Sequence, residues 1–360
     1  MTASSLLNLS RQARRARQER VASSSPTPQV TAPEPPRPPD ATAQQQRLST
    51  LSRPHPELHQ GLLQLDPWQL QAVFSDQRAT LVRAQVGSGK TTVLVYKVLY
   101  LHLVEGVPLN EMAVMTFTNK AADEIATRIA DRTPDNPPTP MDTWLMGTFH
   151  AVARSLLCHA LPKQEIGYPH DFQVIDIEQR QRLIDRLIDE HDLSIKHRRQ
   201  VDKRLVALEQ GQVLWQNMRH PDDIERLASL LHAEKVRAGL MDFDDLIRNA
   251  NTLLEKHPLG PPPRWLIIDE LQDCSADQLL LLERMVGPDT HLFAVGDPNQ
   301  VIYGWRGSNL EVFRAFEQSH AATLYDLPVN HRSTATIVRC ARTFLETSGP
   351  VGRDQSAVLN

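Results

Sequence analysis

Hydrophobic and polar positions divide the chain into regimes that change at a few points. Residues 1–60 carry no hydrophobic period: Arg11, Arg14, Arg15, Arg17 and Arg20 precede a Ser/Pro/Gln-rich run holding Pro26, Pro28, Pro33, Pro35, Pro36, Pro38 and Pro39. So few apolar groups cannot offset the entropy of ordering the chain, and the segment reads as a disordered basic, proline-rich tail. From 61 to 150 the pattern becomes strand, loop, helix, strand: an apolar run over Ala79–Arg83, a glycine-rich turn, a helix to about Val104, and a second run over Met112–Phe117. Between 151 and 240 apolar residues recur at helical spacing, with Leu183, Ile184, Leu187 and Ile188 on one face and Val201, Leu205 and Leu208 on another. This region is expected to be a helical insertion subdomain. Short apolar strands return at Trp265–Ile268, His291–Val295 and Thr323–Tyr325, with a helical run Ala276–Val286 after the first. Near-continuous apolar strands separated by helices predict an α/β fold with a parallel sheet, built from residues 61–150 and 241–328 and interrupted by the insertion. Residues 329–360 supply one further strand and helix at most.

Composition narrows the picture. With 360 residues and 41% hydrophobic composition the chain can bury ordinary cores for two domains. A formal net charge of −4 excludes a polycation wrapped around nucleic acid and confines any such contact to a local groove. Cys158, Cys274 and Cys340 lie far apart and match no zinc or disulfide spacing, which fits a reducing, cytoplasmic compartment. The most apolar helix candidate, Val93–Val104, contains Lys97 and His102, so no membrane association is expected. The Arg- and Ser-rich beginning also has the composition of an organellar transit peptide, against which the long proline tract argues.

Two runs carry candidate chemistry. Ala84-Gln85-Val86-Gly87-Ser88-Gly89-Lys90-Thr91, followed by Thr92, sits between a strand and a helix. Glycines there let backbone N–H groups turn toward phosphate oxygens at the positive end of a helix. Lys90 would place a charge at the β- and γ-phosphates, and the Thr91 hydroxyl would join a Mg²⁺ shell. Ala84 stands where the strict pattern has glycine, and taken alone the run also fits a tight glycine turn. The apolar strand Trp265–Ile268 ends in Asp269-Glu270-Leu271-Gln272-Asp273. Carboxylates at the carboxyl end of a buried parallel strand face a ligand crevice. Asp269 would hold Mg²⁺, and Glu270 would orient and deprotonate an attacking water. By themselves these acids also fit a helix N-terminus.

In chain order the sequence further shows Leu65-Asp66-Pro67-Trp68-Gln69, Thr116-Phe117-Thr118-Asn119-Lys120-Ala121-Ala122, Gly147-Thr148-Phe149-His150, Met241-Asp242-Phe243-Asp244-Asp245-Leu246, Gly296-Asp297-Pro298-Asn299-Gln300 continuing to Arg306-Gly307, and Asn330-His331-Arg332-Ser333. With the two runs above, this series resembles the superfamily 1 helicases of the UvrD/Rep/PcrA group, from about Leu62 to Ser333. The resemblance implies a RecA-like P-loop NTPase core, ATP and Mg²⁺ as cofactors, and 3′ to 5′ movement on single-stranded DNA or a tailed duplex. By matching position it implies that Gln69 reads adenine, that Gln300 and Arg332 sense the γ-phosphate, and that Thr118, Asn119, Phe149 and His150 lie along the DNA strand. Tyr303 and Trp305 resemble base-stacking residues, a contact worth about 1 to 3 kcal/mol per base without sequence preference. They lie three and five residues after Gln300, so one short segment can touch both ligands.

The chain also departs from that pattern. Many relatives carry Lys or Arg where Ala126 stands, and that side chain helps hold nucleotide; Gln85 replaces a common glycine. The basic cluster Lys196, His197, Arg198, Arg199, Lys203 and Arg204 fits duplex phosphates or a solvated face. The expected second RecA-like domain is represented only by residues 329–360, so activity is expected to need a second lobe, for example from a partner chain. The alternatives are a non-motor module that binds ATP and single-stranded DNA, and a subunit of a helicase-nuclease complex.

Overall fold

The computed structural model describes residues 39–133, 137–195, 198–209, 222–300 and 310–347. In chain order the helices are α1 (Ala41–Leu51), α2 (Pro56–Leu62), α3 (Pro67–Val73), α4 (Lys90–Leu103), α5 (Asn119–Ala130), α6 (Phe149–His159), α7 (Ile177–Glu190), α8 (Val201–Glu209), α9 (Asp222–Ala238), α10 (Phe243–Lys256), α11 (Ala276–Met285), α12 (Leu310–His320) and α13 (Ala335–Thr347). The strands are β1 (Ala79–Ala84), β2 (Met112–Thr116), β3 (Met146–Thr148), β4 (Gln173–Val174), β5 (Leu240–Met241), β6 (Trp265–Ile268), β7 (His291–Gly296) and β8 (Thr323–Leu327). Six strands form one sheet in the order β3-β2-β6-β7-β1-β8, with every neighbouring pair parallel.

The sheet is covered on both faces, which is why its central strands are apolar throughout. Alternate residues feed the two cores. Leu81, Ala113, Met115, Leu266, Ile268 and Ala294 join one with α6, α10 and α11, whereas Val82, Met112, Val114, Ile267, Phe293 and Val295 join the other with α3, α4 and α5. Because all six strands run the same way, the loops after each carboxyl end emerge along one edge. There the glycine turn after β1, Asp269 after β6, Asp297 after β7 and Asn330 after β8 come together.

Two boundaries differ from the sequence reading. The tail expected over residues 1–60 gives way to structure at residue 41: Asp40 caps α1 through the N–H groups of Thr42 and Ala43, and Leu48, Leu51, Leu58 and Leu62 are buried in the α3/α4 core. Gln44 Nε2 donates to the Pro67 carbonyl at 2.7 Å and Arg47 Nη1 to that of Phe74 at 2.8 Å. Helix α1 carries only Leu48 and Leu51 as large apolar residues and α2 is seven residues long, so neither shows a period. Residues 1–38 lie outside the described residues. The insertion expected over 151–240 likewise starts later, because α6 buries Val152, Ala153, Leu156 and Leu157 in the sheet's own core. A separate cluster from α7, α8 and α9, with Leu183, Ile184, Leu187, Val201, Leu205 and Leu227, forms the inserted part.

The parallel pair β4 and β5 stands where the chain leaves for and returns from these helices. A buried ion network ties them to α10: Lys235 Nζ lies 2.9 Å from Asp242 and 2.6 Å from Asp245, and Arg180 pairs with Asp242 and Asp202. Burial pushes the Asp242 carboxyl up, but the Lys235 ammonium, the Asp245 N–H and Arg180 outweigh it and hold the group at about 2. The final expected segment, 329–360, is described as far as residue 347 and contributes α13.

Candidate functional site

The glycine turn joins β1 to α4. Gly87 and Gly89 have φ of 74° and 81°, in the left-handed region that side chains disfavour. A Cβ on Gly89 would come within 2.5 Å of Gln69 Nε2, and one on Gly87 within 2.8 Å of Arg332 Cβ. Ala84 needs no such freedom, since it is the last residue of β1 and pairs with Leu327. Gly89 is the N-cap of α4 and no side chain caps the helix, so its first N–H groups are open to an anion at this edge. Ser88 is 1% exposed, yet its hydroxyl has no partner. A buried hydroxyl left so costs about 1 to 3 kcal/mol, a cost that a ligand oxygen removes. Gln85 and Val86 are exposed at the outer side of the turn, and Lys90, Thr91 and Thr92 form the first turn of α4.

Opposite the turn stands the tip of β6. Lys90 Nζ lies 2.7 Å from Glu270 Oε2, joining the ends of two strands that are not neighbours in the sheet. Glu270 adopts a φ of 50°, a left-handed conformation costing roughly 1 to 2 kcal/mol for such a residue. Gln272 fixes this tip: its Nε2 donates to Glu270 Oε2 at 2.8 Å and its Oε1 accepts from the Asp297 N–H at 3.0 Å. Gly296 is required there, because a Cβ would meet Gln272 Oε1 at 2.5 Å. Asp269 is 2% exposed, and burial, then Glu270, push its carboxyl up to about 7 against the pull of Lys90. Burial and Glu270 likewise raise Asp273 to about 6, and its Oδ1 has no partner. Gln300 is folded back on the end of β7, its Nε2 donating to Asp297 Oδ2 at 2.6 Å.

The loop after β8 forms the third wall. Asn330 Nδ2 donates to the Val86 carbonyl at 2.6 Å and the His331 N–H to the Gly87 carbonyl at 2.8 Å. Asn330 Oδ1 in turn accepts from the N–H groups of Arg332 and Ser333. The His331 ring meets Asp66 Oδ2 at 2.7 Å, while Asp66 Oδ1 caps α3 through the N–H groups of Trp68 and Gln69. Gln69 is 4% exposed and already holds two bonds, accepting from Asp66 N–H at 3.0 Å and donating to the Ser88 carbonyl at 2.9 Å. Its amide keeps a second N–H and a second lone pair for a ligand. Sequence reading singled out Arg332, whose side chain is exposed here, and missed the clamp made by Asn330, His331 and Asp66. The signal for it was present in the quoted Asn330-His331-Arg332-Ser333 run.

A second feature lies along the same edge. A cavity of about 730 Å³ is lined by Asn119, Thr148, His150, Arg154, Phe172 and Phe243, among others. Thr118 and Thr148 cap α5 and α6 through Ala121 N–H and Ala151 N–H, both at 3.2 Å, which brings the two helix N-termini to its rim. The His150 ring meets Phe243 edge to face at 5.4 Å, and Phe243 is 47% exposed. The expected contact at Phe149 is corrected by the structure. That ring is 1% exposed inside the core, because Phe149, Val152, Ala153 and Leu156 form the inward stripe of α6. Phe243 and Arg154 were not anticipated, and the exposed aromatic at the first position of a capped helix was the available signal. Tyr303 and Trp305 lie outside the described residues, as do Lys196 and His197; Arg198 is paired with Asp189 at 2.5 Å.

Among the described residues no group of three or more His, Cys, Asp or Glu is arranged to hold a metal, and no helix is long and apolar enough to cross a membrane. Thr91 and Asp269 provide the kind of donor set that a phosphate-bound Mg²⁺ uses, since this ion takes one or two protein ligands and keeps its waters.

Residues 65–321 match the model of the UvrD/REP helicase N-terminal domain. The chain is 32% identical over 289 residues to DNA helicase II of Haemophilus influenzae, covering 74% of this chain and 38% of the relative. It is 32% identical over 315 residues to DNA helicase II of Escherichia coli, covering 80% and 41%. Against ATP-dependent DNA helicase PcrA of Staphylococcus aureus it is 29% identical over 302 residues, covering 78% and 40%. The chain thus spans about two fifths of the length of these relatives.

Proposed function

The chain belongs to the UvrD/REP helicase family, and from that premise we propose that its sheet edge binds ATP with Mg²⁺ and hydrolyses it to drive movement along single-stranded DNA. The observation that carries this reading is the 2.7 Å pair between Lys90 and Glu270, beside an uncapped helix start and an unpartnered Ser88 hydroxyl. The turn Gln85–Gly89 with Lys90, Thr91 and Thr92 receives the phosphates, and Thr91 and Asp269 hold the ion. Held by Thr91 and Asp269, Mg²⁺ would supply positive charge that offsets the phosphate charge. Lys90 exchanges the Glu270 carboxylate for phosphate oxygens. Glu270, still held by Gln272, is thereby freed to orient a water and accept its proton. Gln300 and Arg332 stand at the ends of β7 and β8, where an amide and a planar guanidinium report the terminal phosphate to the loops behind them. Gln69 meets the adenine edge with its remaining N–H and lone pair.

The cavity bordered by Asn119, His150, Arg154 and Phe243 is the groove for the DNA strand, with Thr118 and Thr148 ordering the helix starts on its rim and Phe243 and His150 offering ring faces to bases. Translocation with 3′ to 5′ polarity belongs to the whole motor, in which a second RecA-like lobe, from the same protein or a partner chain, closes on the same nucleotide. The test is ATP hydrolysis with Mg²⁺, with and without single-stranded DNA. With the second RecA-like lobe present, wild type is expected to turn over ATP and to be stimulated by DNA. Glu270→Gln is expected to bind nucleotide but to hydrolyse it about 10² to 10⁴ times more slowly, the usual worth of a general base. Equal rates for the two proteins would remove the catalytic assignment. Hydrolysis indifferent to DNA would leave a nucleotide-binding module without a motor role.

A further inference from the structure

Helix α3 has seven residues, too few to hold a helix together by local bonds alone. Yet it carries Gln69, whose amide spans two bodies. Its Oε1 accepts from the Asp66 N–H at the start of its own helix, and its Nε2 donates to the Ser88 carbonyl on the glycine turn. Both bonds form only while α3 keeps its distance from the turn. The remaining N–H and lone pair point where those two bonds leave them. Whatever fixes α3 therefore fixes the aim of Gln69.

Helix α1 holds α3 at both ends. Its buried stripe is Gln44, Leu48 and Leu51. Gln44 Nε2 donates at 2.7 Å to the carbonyl of Pro67, the first residue of α3 and two residues before Gln69. Arg47, nearly one turn further along α1, donates through Nη1 at 2.8 Å to the carbonyl of Phe74, the C-cap of α3. Its guanidinium also lies 5.7 Å from the centre of the Phe74 ring. A cation on the last carbonyls suits the negative end of a helix. That end has a second hold, since Lys97 of α4 donates to the carbonyls of Val73 and Ser75. The start of α3 is tied to α1 by Gln44 and, through Asp66 and His331, to the loop after β8. Residues 41–51 precede the stretch 65–321 that matches the helicase domain.

We propose that α1 is a brace for base recognition, in which Gln44 and Arg47 are positioning residues that keep Gln69 aimed at the edge of the adenine base. This rests on the adenine contact argued above for Gln69. The phosphates are met by the glycine turn and Lys90, which belong to β1 and α4, so a slack α3 weakens the grip on the base and spares the grip on the phosphates. Guanine carries an acceptor where adenine carries a donor, so the aim of one amide distinguishes the two.

The test is competition against an ATP analogue labelled on its ribose and bound with Mg²⁺ to the 360-residue chain, with ATP, GTP and inorganic tripolyphosphate as competitors. Wild type is expected to prefer ATP over GTP. Gln44→Met keeps the length of the side chain and removes its donor. It should narrow that preference about 2- to 10-fold, the range for one neutral hydrogen bond, and leave the affinity for tripolyphosphate unchanged. Arg47 is partly exposed, so Arg47→Met carries the test if Gln44→Met folds poorly, and it should act in the same direction. Arg47→Lys should recover part of that loss. Gln45→Ala, on the exposed side of α1, should bind like wild type. If Gln44→Met and Arg47→Met keep the wild-type preference while Gln69→Ala loses it, this inference fails and the adenine contact stands. Equal losses for all three competitors would make α1 a support of the fold alone and overturn the proposal. If Gln69→Ala keeps the preference, or wild type shows none, the adenine contact and this inference fall together.

Discussion

Single residues decide whether the edge of the sheet can take a phosphate. Gly89 combines a left-handed backbone with a 2.5 Å approach to Gln69 Nε2 at its absent Cβ. Gly89→Ala should therefore lose nucleotide binding and destabilise the fold by roughly 1 to 2 kcal/mol, measurable as a lower urea midpoint. An unchanged midpoint would mean that the turn relaxes freely. Lys97 is buried in α4, its ammonium donating to the Val73 carbonyl at 3.2 Å and to that of Ser75, 4.5 Å from the Trp265 ring centre. Burial pushes it down to about 8, against the pull of Glu105 and Asp76. Between about pH 8 and its ordinary 10.5 the unfolded chain holds more protons at this site than the folded one, so this residue's contribution to stability rises with pH across that window. Urea midpoints of wild type minus Lys97→Met should climb from pH 8 to 10, and a flat difference would refute it. Residue identity also marks where sequence reading stopped. Types and spacing pointed to Lys90, Asp269 and Glu270, and the family resemblance to Gln300; the fold brings all four to one edge. Phe149 was placed on the wrong side, although its helical stripe with Val152 and Leu156 was legible in the chain.

At the scale of elements, apolar runs located five of the six sheet strands within a few residues, because strands buried on both faces leave little room for polar interruption, whereas the three-residue, half-buried edge strand β3 gave no such run. Helices α1 and α2 were not legible, since α1 carries only Leu48 and Leu51 as large apolar residues and α2 is seven residues long. Their burial makes a clear expectation: Leu58→Ala should cost about 2 to 5 kcal/mol by thermal or urea unfolding, where a disordered tail would give nothing. The ion network that fastens α7, α8 and α9 to α10 was equally hidden, because its charges come from three separated stretches. Lys235→Ala removes the buried cation shared by Asp242 and Asp245, leaving Asp242 to Arg180 alone, and removing one partner of a buried pair typically costs about 3 to 5 kcal/mol. The urea midpoint should fall accordingly, and a loss below about 1 kcal/mol would show that water replaces the ammonium.

Across the whole molecule, one topological fact organises the rest. Six parallel strands deliver the glycine turn, the acidic tip, the Gln300 loop and the Asn330 clamp to a single edge, and the α5 and α6 starts to the cavity beside it. The juxtaposition of Lys90 with Glu270 cannot be read from spacing, because it depends on strand order. The most direct check is a titration of the 360-residue chain with a fluorescent ATP analogue and Mg²⁺, comparing wild type, Lys90→Ala and Asp269→Asn. Saturable binding by wild type, weakened tenfold or more in the lysine variant and no longer strengthened by Mg²⁺ in the aspartate variant, is the predicted result. Equal binding by all three proteins, with or without Mg²⁺, would contradict a phosphate and its cation meeting between these two strand ends.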